Sequence, residues 1–243
     1  MEMYSAIHIL FIFSLIFISS LIGIKLKKSD KILKNSLILL FALEIFRVVF
    51  LLITHRFSLY SSLSLQLCFT YAFIGIIYLI TKKKFILDYL GPFGILFALF
   101  AIVLTNPHNF FAFKVIDCYL YHSVLLFIGV YITKNYKPAF SYKGILIFWI
   151  QILFAFLANL IIKHGANYIF LNTFLYPNHH LIYRVNIPAF NIPFIDGLST
   201  NDVLIDIIHN IGHFNYVLSL FSFVTLFLIF WLRIFSKKKI LRK

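Results

Sequence analysis

Charge is what this sequence has least of. Of its 243 residues only 12% are charged and 62% are hydrophobic, against about 25% charged and roughly 45–50% apolar in soluble domains. Water is therefore not its main solvent, and an ordinary soluble domain is excluded. Acid is scarcer still: 8 acidic residues against 22 basic ones leave a formal net charge of +14. Cysteine occurs twice, as Cys68 and Cys118, both inside apolar stretches. That excludes a disulfide framework and any CxxC metal or redox motif. A P-loop, a dinucleotide-binding glycine fingerprint, a GxSxG elbow and an HExxH zinc motif are all missing, so no cofactor and no metal are expected. Tryptophan occurs twice against 31 phenylalanines, a bias that an AT-rich genome explains as readily as selection. A cleavable signal is not expected either. The first apolar run follows Met1-Glu2-Met3 with no basic n-region and is too long for a typical h-region.

What the chain does have is long apolar runs. A helix needs about 20 apolar residues to cross a hydrocarbon core of about 30 Å. Seven runs qualify, at 4–24, 35–53, 63–81, 85–105, 115–133, 144–162 and 214–235. Lysine and arginine are retained on the cytoplasmic side of short loops, and here they alternate. Lys25, Lys27, Lys28, Lys31 and Lys34 lie in the first connection, Lys82 to Lys84 in the third, Lys134, Lys137 and Lys143 in the fifth, and six more from Arg233 onward. The other side receives Arg56, Lys114, Lys163 and Arg184. The expectation is an all-α, polytopic membrane bundle of seven transmembrane helices, with its N-terminus outside and its C-terminus cytoplasmic. It forms a single domain over 1–243 and is multi-pass in the cell membrane. The charge is accounted for without nucleic acid, whose binders present a basic patch rather than alternate basic loops.

The sixth connection, 163–213, is long and weakly polar, and Pro177, Pro188 and Pro193 argue against helix in its middle. From Thr200, a plausible cap, Val203, Leu204, Ile207, Ile208 and Ile211 recur at helical spacing. Asp202, Asp206, His209 and His213 fall opposite them, as in an amphipathic helix on the outer membrane surface. A solvated polar face explains those four without a metal.

Polar groups inside spans cost a few kcal/mol to insert, so they are functional candidates by default. At 1.5 Å per residue, Cys68 lies about 8 Å, His122 about 10 Å and Asn159 about 6 Å from the outer ends of their spans. Arg47 lies at a similar depth, Glu44 nearer the midplane, Gln66 and Asp117 nearer the outer rim, and Asp88 in the inner half. The inventory gathers in the outer half, although unrelated packing hydrogen bonds remain the bland explanation. A thiol becomes a nucleophile when an imidazole takes its proton, so Cys68 and His122 form the candidate pair, with Gln66 or Asn159 orienting the ring or donating to an oxyanion. Cys118 is one helical turn from His122 and is the second choice of thiol. Glu44 and Arg47, three apart on one helix, are expected to neutralise each other; the functional alternative is Arg47 holding a lipid phosphate.

Ser64-Leu65-Gln66-Leu67-Cys68, Leu104-Thr105-Asn106-Pro107, His122 and Gly165-Ala166-Asn167-Tyr168-Ile169-Phe170-Leu171 resemble the YwaF-like family of bacterial integral membrane proteins. That family is similar to eukaryotic transmembrane protein 164, a phospholipid acyltransferase. The resemblance implies seven helices and a Cys nucleophile with a His partner that moves a fatty acyl group between lipids through a thioester. Carried over, the nucleophile is Cys68 and the base His122, with Asn167 and Tyr168 as supporting residues. The last span departs from the pattern, opening Gly212-His213-Phe214-Asn215-Tyr216 where a proline-containing turn is expected. The expected function is thus lipid acyl transfer or hydrolysis, with membrane lipids as partners and the oligomeric state open. The competing expectation is a carrier whose solute site is the same polar cluster, gated by Glu44 and Arg47; a structural membrane partner is the third.

Overall fold

In the computed structural model the described residues are 6–58, 62, 66–104, 113–139, 142–162, 222 and 225–231. Their regular elements are all helices: α1 (Ala6–Lys25), α2 (Asp30–Ile53), α3 (Leu67–Thr81), α4 (Lys84–Leu104), α5 (Phe113–Tyr136) and α6 (Tyr142–Ile162), with a seventh helical segment at 225–231. Four of them, α1, α2, α4 and α5, are long and apolar enough to cross a membrane, and α3 and α6 supply shorter apolar stretches. The expected amphipathic segment from Thr200, the rest of the 163–213 connection, Asn167, Tyr168 and most of the last predicted span lie outside the described residues.

The helix bounds follow from local chemistry. The second helix starts at Asp30, earlier than the apolar run suggests, because Ser29 is extended and its hydroxyl accepts from the Ile32 N–H. That cap carries Lys31 and Lys34 on the first turns. Lys82 adopts a left-handed conformation (φ 52°) and closes α3 by donating its N–H to the Tyr78 carbonyl, so α4 follows after a very short turn. Pro92 lies inside α4, yet the helix is continuous across it. The Gly91-Pro92 step, which reads as an interruption in sequence, is not a break. The chain beside it is packed on both sides, with Trp231 Nε1 donating to the Pro92 carbonyl at 3.3 Å.

The core lies around α4 and α5. Tyr89, Leu90, Phe93, Leu125, Ile128 and Tyr131 are fully buried, and Phe93 stacks on Tyr89 and on Phe148 of α6. The two helices meet through glycine. A Cβ built on Gly129 would stand 2.7 Å from the Ile95 nitrogen and 3.0 Å from the Gly91 carbonyl oxygen, so the backbones approach as only a side chain of hydrogen permits. The outward faces are as apolar as the core: Leu10, Phe13 and Phe17 on α1, Phe46 and Ile53 on α2, and Phe154 on α6 are all exposed. Exposed apolar surface continuous along several helices is a surface for hydrocarbon. Hydroxyls on it fold back, as Ser14 to the Leu10 carbonyl and Thr81 to the Ile77 carbonyl, both at 2.8 Å, so that neither turns its donor to lipid.

The end of the bundle that carries the lysines is fastened by the last turns of α5. The Tyr131 hydroxyl accepts from the Ser29 N–H at 2.7 Å and faces the Ser29 and Lys27 carbonyls at 3.0 and 3.1 Å. Tyr136 donates to the Asp30 carboxylate at 2.6 Å, and Lys134 reaches the Ile24 carbonyl. Asp88 belongs to this end too, where its carboxylate accepts the Ala139 N–H at 2.7 Å and holds the chain leaving α5. Its role is structural.

Candidate functional site

The opposite end gathers the other polar side chains, because antiparallel connection brings the end of α2, the start of α3, the end of α4 and the start of α5 to one level. Glu44 and Arg47 meet there as expected. Arg47 Nε donates to Glu44 Oε2 at 2.9 Å and Nη2 to Oε1 at 2.7 Å, the pair being buried. The second sequence alternative, a guanidinium directed at a phosphate, competes with this fork, since Nη2 also donates to the Ser62 carbonyl at 3.0 Å. The guanidinium lies 4.1 Å over the Phe69 ring. Asp117, half-buried at the start of α5, lies within electrostatic reach of both Arg47 and Glu44.

Cys68 is the second residue of α3. Gln66 precedes the helix in extended conformation and caps it with its carbonyl, which accepts the Phe69 and Thr70 N–H groups at 3.0 Å each, but its side chain makes no cap bond. The earliest N–H groups of a helix have no acceptor within it, and the positive end of its dipole favours negative charge there. The half-buried Cys68 thiol points toward the Phe97 carbonyl, 4.0 Å away. Cys118 of α5 is within electrostatic reach of it, and both side chains are thiols rather than a disulfide.

His122 is 4% exposed. Its Nδ1 lies 2.7 Å from the Cys118 carbonyl oxygen and 3.5 Å from the Cys118 sulfur. A carbonyl only accepts, so Nδ1 carries the proton and Nε2 keeps the lone pair. Nδ1–H therefore cannot take a proton from Cys118, and the one-turn proximity of that thiol does not activate it. Nε2 is buried and has no partner among the described residues, and neither has the Ser123 hydroxyl beside it. No hydrogen bond joins Cys68 to His122 among the described residues. Their link is Tyr121, whose hydroxyl donates to the Cys68 carbonyl at 2.8 Å.

Of the remaining sequence candidates, Asn159 lies on α6, and Asn167 and Tyr168 lie outside the described residues. Two side chains at the site escaped the sequence reading. Tyr121 counts as apolar in any composition, and its only signal is adjacency to His122. Gln151, buried in α6, accepts from the Tyr89 hydroxyl and donates to the Thr70 hydroxyl, which ties α4 and α6 to the turn of α3 that follows Cys68. A lone Gln within an apolar run was a visible signal. No group of three metal-ligating side chains occurs among the described residues.

Apolar helices with lipid-compatible outer faces, enclosing an ion pair, an imidazole nitrogen with no partner among the described residues and two thiols at one end, define a multi-pass membrane protein with an internal polar site. The model of the TMEM164 family matches residues 2–234, nearly the whole chain, and the chain belongs to that family. No curated protein and no solved structure matches it.

Proposed function

We propose that this chain is a membrane-embedded, cysteine-dependent acyltransferase or acyl hydrolase acting on phospholipid. In this reading seven helices span the cell membrane with the N-terminus outside, so that the Cys68 and His122 end faces the outer leaflet. The alternation of basic loops supports that orientation, and membership of the TMEM164 family, together with the resemblance of its motifs to a phospholipid acyltransferase, supports the chemistry. The observation that carries the reading is the state of His122: its Nδ1–H is committed to the Cys118 carbonyl, and its basic Nε2 is buried without a partner among the described residues.

The reaction runs through a thioester. Nε2 accepts the Cys68 thiol proton as sulfur attacks the ester carbonyl of a lipid, and a carbon–sulfur bond forms. The tetrahedral oxyanion develops against the first N–H groups of α3. Its collapse breaks the carbon–oxygen bond and His122 returns the proton to the departing lysolipid oxygen. A second lipid hydroxyl, or water, then repeats the sequence in reverse and regenerates the thiol. Contact between sulfur and Nε2 is expected to tighten only with lipid bound, as catalytic hydrogen bonds often do.

The test is direct. Protein purified in detergent and given phospholipid is expected to release lysolipid and to carry an acyl adduct on Cys68. Full activity in both Cys68→Ser and His122→Ala would refute the proposal.

A further inference from the structure

Cys68 stands on α3 and His122 on α5, and the two turns are joined through one buried hydroxyl. Tyr121 is 1% exposed and precedes His122. Its OH donates to the Cys68 carbonyl at 2.8 Å, and its ring meets Phe69 edge-on at 5.2 Å between centroids. Arg47, from α2, covers the same Phe69 ring and holds the Ser62 carbonyl just upstream. Tyr121 thus shares the Phe69 ring with Arg47 and holds the main chain of Cys68. Within the helix the Cys68 carbonyl already serves the N–H four residues on. The Tyr121 hydroxyl takes the second lone pair, which the helix does not need. A buried tyrosine hydroxyl must have a partner, and the partner here is the main chain of the thiol residue itself.

We propose that Tyr121 is a positioning residue: its hydroxyl sets the first turn of α3 against α5, so that the Cys68 sulfur and His122 Nε2 address the same carbonyl of a bound lipid. The inference rests on Cys68 and His122 being the reacting pair. A displacement of about 1 Å in such a pair costs about 100-fold in rate, whereas binding of the acyl chains along apolar helix faces is indifferent to it. The effect therefore falls on kcat and not on KM.

The experiment compares Tyr121→Phe with Tyr131→Phe in the full chain, using mixed micelles of phosphatidylcholine and phosphatidylglycerol. Tyr131 lies on the same helix about 15 Å away, and its hydroxyl has three partners at the opposite end, so its loss destabilises at least as much. Tyr121→Phe is expected to lower kcat about 10- to 100-fold with KM little changed, and Tyr131→Phe to leave kcat per folded molecule as it was. Equal losses in the two variants, or wild-type kcat in Tyr121→Phe, overturn the inference. A second readout does not need turnover: the rate at which N-ethylmaleimide alkylates Cys68 in a Cys118→Ser background. If the wild type releases no lysolipid, the acyl-transfer reading fails, and alkylation still decides. A several-fold change in Tyr121→Phe beyond that in Tyr131→Phe supports the positioning role, and no difference ends it.

Discussion

Neutralising Glu44 while keeping its shape isolates what the buried charge pair contributes. In Glu44→Gln the guanidinium of Arg47 retains the Ser62 carbonyl and the Phe69 ring but loses the carboxylate that accepts two of its hydrogen bonds, at 2.9 and 2.7 Å. Removing one partner of a buried pair costs about 3–5 kcal/mol, because the other charge is left uncompensated. Arg47→Met is expected to cost at least as much, since it leaves the buried Glu44 carboxylate without its guanidinium. The double variant Glu44→Leu with Arg47→Met removes the charges together. Replacing a buried pair by apolar side chains is often neutral or better, so the remaining loss is the Ser62 and Phe69 contacts, about 1–2 kcal/mol. At about 2–4 °C per kcal/mol for a chain of this size, each single variant is expected to lower Tm in detergent by roughly 6–20 °C. The double variant is expected to lie within roughly 2–8 °C of wild type. A double variant that loses the sum of the singles would show that the two charges do not compensate each other, and the reasoning would fail.

Two further substitutions probe the scaffold. Gly129→Ala places a methyl 2.7 to 3.0 Å from backbone atoms of α4 and is expected to cost about 3 kcal/mol or more; Gly144→Ala, whose nearest neighbour is 3.4 Å away, is expected to stay within about 1 kcal/mol of wild type. Thermal unfolding of both in one detergent checks this, and equal Tm values would refute it. Gln151→Leu strands the buried Tyr89 hydroxyl and is expected to cost about 1–3 kcal/mol, part of which Tyr89→Phe restores; a double variant less stable than Gln151→Leu alone would contradict the assigned bond.

The helices were legible because run length is a strong signal, and the meeting of Glu44 with Arg47 because spacing of three fixes neighbours on one helix. The gathering of Cys68, His122, Arg47 and Asp117 at one end was legible for a topological reason: in antiparallel helices, positions near alternate connections share a level. Other features lie beyond local pattern. The early start of α2 depends on the Ser29 cap, which hydropathy ignores. The continuity of α4 through Pro92 reflects packing by neighbours that a glycine-proline step does not announce. The bonds of Tyr121 to Cys68 and of Tyr89 to Gln151 join residues 53 and 62 positions apart, and only assembled helices reveal them.

The division of polar groups between the two ends has a physical consequence. At the lysine end, Tyr131, Tyr136, Asn135 and Lys134 all reach acceptors on or beside the connection between α1 and α2, bonds that add to stability. At the other end His122 Nε2 and the Ser123 hydroxyl are buried without a partner among the described residues, as is the Thr133 hydroxyl toward the lysine end, each at a cost of about 1–3 kcal/mol. Packing alone gives no reason to keep an imidazole there, since a phenyl ring would fill the volume without that cost. The glycine-mediated contact of α4 with α5 and the fastened lysine end hold α5 in place independently of His122. In the proposed reading the ring sits in a position that is unfavourable until a proton donor arrives, and that donor is the Cys68 thiol, on the turn of α3 to which Tyr121 is hydrogen-bonded.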